Sequence, residues 1–144
     1  LSRAIDEIRR LVDELRPPVL DELGLVGAIT EQCQRFGGLS VRVAHEGELG
    51  DLPAAVEVAA YRIALEAVTN VARHAAASSV VVRLCRGDDL EIEVADDGAG
   101  EDGWVPGVGI TSMTDRATEI GGSLQAGPAP AGGGLVSAWL PVLT

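Results

Sequence analysis

The sequence YRIALEAVTNVARHA, Tyr61–Ala75, decides how the rest of the chain is interpreted. No Pro or Gly interrupts it, and apolar residues recur every three or four positions from Val56 to Val71, which predicts a helix with one face in a core. At about 100° per residue, Glu66 and Asn70 point to the same side of this helix, beside its apolar stripe. Because burying an amide without partners costs free energy, this pair favours a ligand site over a purely stabilising role.

The composition excludes several classes of function. The 144 residues are 47% hydrophobic and 23% charged, with a net charge of −11, which predicts a folded acidic domain and no nucleic-acid partner. All eleven basic residues are Arg, and the absence of Lys excludes a P-loop and Schiff-base chemistry. No apolar run approaches the roughly 18 residues of a membrane-spanning helix, so we expect a cytoplasmic fragment without membrane contact. The two Cys residues are expected to be free thiols.

Pro17 and Pro18 separate an N-terminal segment from the rest of the chain. Before them, apolar residues alternate at spacings of four and three, which predicts a coiled-coil-type helix over residues 1–16. The alternative is an amphipathic helix folded onto its own domain. After them, the patterns predict helices at 25–36, 56–75 and 110–120 and strands at 39–44, 79–84, 90–95, 122–126 and 134–140. These elements predict a two-layer α/β sandwich, a mixed five-stranded sheet covered by three helices, plus the N-terminal helix.

Two Gly-bearing segments follow the central helix, DDGAG at Asp96–Gly100 and GVGI at Gly107–Ile110. Together with the helix they match the N, G1 and G2 boxes of Bergerat-fold ATP sites, so the chain resembles the ATP-binding domain of sensor histidine kinases, in the GHKL superfamily of gyrase B and MutL. The strings LRPPVLDELGL at 15–25 and GVGITSMTDRA at 107–117 resemble kinases of the nitrate-sensor type. The resemblance implies the end of a dimerisation and phosphotransfer hairpin with its linker at 1–23, and the catalytic domain at 24–144.

The motif residues suggest a site for ATP and Mg²⁺. Asn70 would give Mg²⁺ its side-chain oxygen, and Glu66 would act on a nucleophile or hold a metal-bound water. Without the other motifs, a Glu and an Asn four residues apart would more often be two polar residues on a solvent-exposed helix face. A carboxylate at the strand end can accept a hydrogen bond from the adenine amine, and the resemblance assigns this contact to Asp96. The turn into the third helix would offer N–H groups to phosphate. The predicted nucleotide-binding residues are Asn70, Arg73, His74, Asp96, Gly98, Gly100, Gly107, Gly109, Ile110 and Met113; Glu66 is the predicted catalytic residue and, with Asn70, a metal contact.

Several of these residues also have a simpler interpretation. Met113 alone is typical of a core, Arg73 and His74 are favourable cations at a helix C-terminus without any ligand, and an acidic Asp-Gly turn is common. Residues 101–106 would form a lid that carries Trp104. The glycines at 132–134 resemble a kinase turn, but Leu135 follows where such kinases often have Thr.

We therefore interpret the chain as the catalytic domain of a two-component sensor histidine kinase, a transferase of the ATP γ-phosphoryl group. The acceptor would be a histidine on an upstream hairpin helix that this chain lacks, and the phosphoryl group would pass on to a response regulator. A homodimer is expected for the full-length protein, whereas this fragment should be close to monomeric and unable to autophosphorylate. The alternatives are an anti-sigma-factor serine kinase, a MutL- or gyrase-like ATPase, and a non-catalytic nucleotide-sensing module.

Overall fold

A computed structural model describes residues 16–74, 76–98, 109–130 and 132–142. One mixed sheet and three helices make up these ranges, and the strand order in the sheet is β1-β2-β3-β5-β4. β1 is parallel to β2, and the other neighbours are antiparallel. The predicted five-stranded sheet and its three helices are therefore confirmed, whereas residues 1–15 of the predicted N-terminal helix lie outside the described residues. In chain order the elements are α1 Pro18–Cys33, β1 Ser40–Glu46, α2 Ala54–His74, β2 Ser79–Arg86, β3 Asp89–Asp96, α3 Ile110–Glu119, β4 Ser123–Pro128 and β5 Gly134–Pro141.

The helices cover one face of the sheet, and the core lies between the two layers. Alternate residues of β2 and β3 are buried, and the register places Val82 opposite Val94 and Leu84 opposite Ile92. Each of these four side chains is at most 1% exposed. Because successive side chains of a strand point to opposite faces, the residues between them form the outer face. The outer face carries charged residues such as Arg83.

α2 lies in the middle of the helical layer and packs on α1, α3 and the sheet. Its buried face contains many small side chains, including Ala60, Ala64 and Ala67, each at most 1% exposed. Small residues let the neighbouring elements approach the helix axis closely, and Ile63 and Val68 fill the remaining space. Neither α2 nor any other helix in the described ranges is long and apolar enough to cross a membrane.

α1 begins earlier than the sequence pattern predicts. A helix was expected over residues 25–36, but α1 runs from Pro18 to Cys33 and is divided by Gly24, which has non-helical backbone angles. Pro18 can start the helix because a first-turn residue needs no N–H partner, and Asp21 is a favourable anion in that turn. Leu20 is 2% exposed, so the residues after the two prolines pack on the core. The predicted domain boundary at 23/24 falls at the Gly24 kink and stays a prediction.

Candidate functional site

Glu66 and Asn70, both half-exposed on α2, converge on the backbone at the start of α3. Gly109 precedes α3 with a φ of 75°. A Cβ built on Gly109 would lie 2.7 Å from Asn70 Nδ2 and 2.9 Å from Glu66 Oε1, closer than a Cβ normally approaches any atom. A left-handed φ also disfavours a side chain. Glycine at position 109 therefore allows the first turn of α3 to approach both polar side chains.

Ser112, in the first turn of α3, contacts Glu66 directly. Its hydroxyl donates a hydrogen bond of 3.2 Å to Glu66 Oε2. The N–H groups at the start of a helix have no intrahelical acceptor and carry partial positive charge, so a carboxylate beside them is stabilised. Sequence reasoning missed Ser112. The available signal was a hydroxyl three residues after Gly109, in the first turn of a helix predicted to bind phosphate.

The consecutive residues Asp96 and Asp97 have different surroundings. The Asp97 carboxylate accepts hydrogen bonds from the N–H and the hydroxyl of both Ser78 and Ser79, at 2.7 to 3.0 Å. These bonds, first of all the one from the Ser79 N–H, hold the pKa of Asp97 well below its usual range. Asp97 thus ties the end of β3 to the start of β2, and its carboxylate has a structural role.

Asp96 is half-buried at the last position of β3. Its Oδ1 accepts a hydrogen bond of 2.7 Å from the Gly98 N–H, while Oδ2 accepts none from the described residues. A Cβ on Gly133 would lie 1.9 Å from the backbone oxygen of Asp96, so the turn before β5 packs directly on this residue and requires glycine. One carboxylate oxygen of Asp96 is therefore fixed by the Gly98 N–H, and a contact of Asp96 with adenine stays a prediction.

The other predicted contacts are placed as follows. Ile110 is half-buried at the start of α3, and Met113 is completely buried, so Met113 anchors α3 in the core, as its simpler interpretation predicts. A nucleotide contact by Met113 stays a prediction. Gly100, Gly107 and the lid at 101–106 lie outside the described residues.

Arg73 and His74 are exposed in the last turn of α2, the same helix that carries Asn70. Cations at a helix C-terminus are favourable without a ligand, so their placement fits both interpretations of this pair. A contact of either side chain with phosphate stays a prediction.

The polar groups at α2 and α3 fit a magnesium ion shared with phosphate. Mg²⁺ prefers oxygen ligands, and three side chains here can present them: Asn70, Glu66 and Ser112. The start of α3 can present backbone N–H groups to an anion. In the described part of the chain, no three or more His, Cys, Asp or Glu side chains are arranged to hold a metal ion. Mg²⁺ usually keeps several waters and takes phosphate oxygens for the rest of its shell, so a single amide with one carboxylate is a sufficient protein contribution.

Comparison with known families agrees with this geometry. The family described as "Histidine kinase-, DNA gyrase B-, and HSP90-like ATPase" matches residues 55–144. This range contains all but the first residue of α2, the Asp96 strand end and α3, which together carry the candidate site. The chain belongs to this family of ATPase domains.

Known relatives narrow the resemblance to histidine kinases. The chain is 38% identical over 142 residues to the sensor histidine kinase MctS of Rhizobium johnstonii, which covers 92% of this chain and 31% of the relative. It is 28% identical over 151 residues to the histidine-protein kinase/phosphatase DegS of Brevibacillus brevis, covering 100% of this chain and 39% of the relative. The chain thus spans about a third of the length of these relatives.

A solved structure confirms the fold. The chain is similar to the ATP-binding domain of PrrB from Mycobacterium tuberculosis, with a TM-score of 0.61 and 20% identity over 85% of this chain and 94% of that one. This likeness concerns the fold alone. Together with the relatives, it confirms the predicted resemblance to the ATP-binding domains of sensor histidine kinases.

Proposed function

We propose that this chain is the ATP-binding catalytic domain of a two-component sensor histidine kinase. It would transfer the γ-phosphoryl group of ATP to a histidine on an upstream helical hairpin. The observation that carries this proposal is the convergence of Glu66 and Asn70 on Gly109, in a chain of the histidine kinase-like ATPase family. Catalysis of phosphoryl transfer depends mainly on positioning the reacting groups and neutralising their charge. Glu66, Asn70 and the start of α3 could contribute to both.

The phosphate end of the nucleotide would lie between α2 and the start of α3. Asn70 would hold Mg²⁺, which when bound neutralises phosphate charge. The free N–H groups of the first α3 turn would bind a phosphate oxygen, and Gly109 keeps that turn close enough to do so. Glu66, held by Ser112, would orient the reacting groups or a metal-bound water.

The adenine end would lie at the C-terminal end of β3. Asp96 Oδ2 would accept a hydrogen bond from the exocyclic amine, because Oδ1 is already engaged by the Gly98 N–H. Gly98 follows Asp96 and Asp97 without a side chain, so a planar ring could approach the backbone on that side, whereas the Gly133 turn already packs on the backbone oxygen of Asp96. Asp97 would contribute indirectly, because its four hydrogen bonds fix the backbone that presents Asp96.

The wider assignment rests on the sequence resemblance to sensor histidine kinases and is part of the same proposal. The parent would be a cytoplasmic or membrane-anchored homodimer of the nitrate-sensor type, in which residues 1–23 continue the phospho-accepting hairpin. Its phosphohistidine would supply a response regulator. This chain by itself would bind ATP with Mg²⁺ without autophosphorylating.

The experiment uses the parent protein that carries the hairpin, incubated with ATP labelled on the γ-phosphate. We expect a label that is stable to alkali and labile to acid, the behaviour of phosphohistidine. Glu66→Gln should lower the transfer rate by about 10²-fold while nucleotide still binds, if Glu66 acts in general acid–base catalysis. Glu31→Gln, on the exposed surface of α1, is the matched control and should leave the rate unchanged.

Other products would contradict the proposal. An acid-stable label on serine would identify the anti-sigma-factor type of kinase. Release of free phosphate without protein labelling would identify an ATPase of the gyrase or MutL type. Nucleotide binding with neither product would leave a nucleotide-sensing module.

A further inference from the structure

Arg16, the first residue that the structure describes, is held by carboxylates from two helices. Its Nε donates a hydrogen bond of 2.7 Å to Asp21 Oδ1 in the first turn of α1, and its Nη2 donates one to Glu57 Oε1 in the first turn of α2. A guanidinium presents its donors in a rigid fork, so two carboxylates on different edges fix both its place and its orientation. These three residues, the Arg16 cluster, join the incoming chain to α1 and α2.

The two ion pairs of the Arg16 cluster differ in their exposure to water. The side chain of Glu57 is 16% exposed and that of Arg16 is 31% exposed, whereas that of Asp21 is 69% exposed. Exposed ion pairs contribute little because water and salt screen them, and a partly buried pair is screened less. The contact with Glu57, which is 41 positions away in the chain, is therefore the one that holds Arg16 against the domain.

The backbone at the Arg16 cluster is restrained as well. Pro17 is extended, with φ −60° and ψ 131°, and Pro18 begins α1. Each proline ring fixes its own φ and disfavours a helical conformation of the residue before it, so the backbone of Arg16 and Pro17 has little freedom. The Leu20 N–H also donates a hydrogen bond of 3.0 Å to the Pro17 oxygen. Side chain and backbone together make a stiff joint where the chain reaches the domain.

α2 connects this joint to the candidate site. Glu57 is in the first turn of α2, and Glu66 and Asn70 lie further along the same helix. At 1.5 Å per residue, Glu57 and Glu66 are roughly 14 Å apart along the helix axis. α2 contains no Pro or Gly and is packed in the core, so it is a rigid connection. The direction in which the chain joins the domain is therefore fixed relative to Glu66 and Asn70.

We propose that Arg16 is a positioning residue for the phosphoryl transfer, holding the incoming chain on α2 so that the nucleotide site is oriented towards the acceptor histidine of the parent protein. This inference rests on the proposed function. Transfer between two parts of one protein requires the reacting groups to be oriented, and a looser joint presents the productive arrangement less often. Because Arg16 lies away from Glu66 and Asn70, its loss lowers the rate of transfer and leaves the affinity for nucleotide unchanged.

The test measures phosphohistidine formation by the parent protein at saturating ATP, together with the Kd for Mg-ADP. Arg16→Glu repels both carboxylates and should slow transfer about tenfold, with the Kd within about twofold of native. Arg16→Gln removes the charge without repulsion and should slow transfer severalfold, which keeps the test valid if Arg16→Glu unfolds. Arg16→Glu combined with Glu57→Arg exchanges the two charges and should restore most of the rate. Arg35→Glu, the same charge change at an exposed Arg without an ion pair in the described residues, is the matched control and should match native.

Several results would overturn the positioning role. A native or faster rate in both Arg16→Glu and Arg16→Gln would show that the joint does not orient the domain. A Kd that rises as much as the rate falls would show a general structural effect on the nucleotide site. A rate that the charge exchange with Glu57 does not recover would show that their contact is not the cause. A native parent without phosphohistidine would contradict the proposed function itself, whereas a labelled native parent with unaffected variants would contradict this inference alone.

Discussion

Replacing Gly109 with Ala tests the close approach of α3 to α2. The new Cβ would lie 2.7 Å from Asn70 Nδ2 and 2.9 Å from Glu66 Oε1, so both side chains must move or α3 must shift. The left-handed φ of 75° adds about 1–2 kcal/mol of backbone strain for a residue with a Cβ. If the shift costs the nucleotide one hydrogen bond to a charged group, worth about 1.5–3 kcal/mol, the Kd for Mg-ADP should rise about 10- to 100-fold.

The matched control is Gly121→Ala, at the other end of α3. Its φ of 82° gives the same backbone strain, but its Cβ would meet only Pro141 Cγ, at an ordinary 3.7 Å. Both variants should lose about 1–2 kcal/mol of stability through backbone strain, a few degrees in Tm, as measured by thermal unfolding. Gly109→Ala should lose more than this, because its Cβ also displaces Asn70 and Glu66. Only Gly109→Ala should lose affinity in calorimetric titration. Native affinity in Gly109→Ala, or an equal loss of affinity in both variants, would show that the close approach of α3 to Asn70 and Glu66 does not shape the nucleotide site.

Three further experiments probe the site and the core. Asp97→Asn should lower Tm at pH 7, because folding depresses the pKa of this carboxyl below its unfolded value near 3.9. The stabilisation by the ionised Asp97 is present above about pH 3.9 and fades as the pH falls through the folded pKa, so the Tm values of the variant and the native protein should converge in acid. Ser112→Ala should change the free energy of unfolding by no more than about 1 kcal/mol. It should slow phosphoryl transfer severalfold, because Glu66 loses the hydrogen bond that holds it, and Ser112→Thr should restore the rate. In alkylation at pH 8, Cys85 should react and Cys33 should not, because burial raises the Cys33 pKa to about 11; equal labelling of both would contradict the buried placement.

Elements defined by local periodicity were predictable from the sequence. The apolar spacing of α2 and the alternation in β2 and β3 determine their buried faces, and the structure confirms both. Glu66 and Asn70 share a side of α2 because they are one helical turn apart, which the sequence alone dictates. The order of the Gly-bearing segments then predicted a turn close to this pair, and Gly109 lies there.

Contacts between distant parts of the chain were not predictable in the same way. Ser112 reaches Glu66 across 46 positions, and this contact depends on how α2 and α3 pack. The difference between Asp96 and Asp97 depends on where the start of β2 lies beside the end of β3, which neither residue type reveals. The early start of α1 was missed because a proline pair was taken only as a helix end, although Pro18 is also suited to the first turn of a new helix.

The most direct test of the nucleotide site is a calorimetric titration of this chain with ADP, with and without Mg²⁺, repeated with Asp96→Asn. We expect saturable binding that Mg²⁺ strengthens. Asp96→Asn should abolish binding while leaving Tm close to that of the native chain, because the hydrogen bonds that fix the backbone belong to Asp97. Binding of the same affinity in Asp96→Asn, or no binding by the folded native chain, would contradict the assignment of this site.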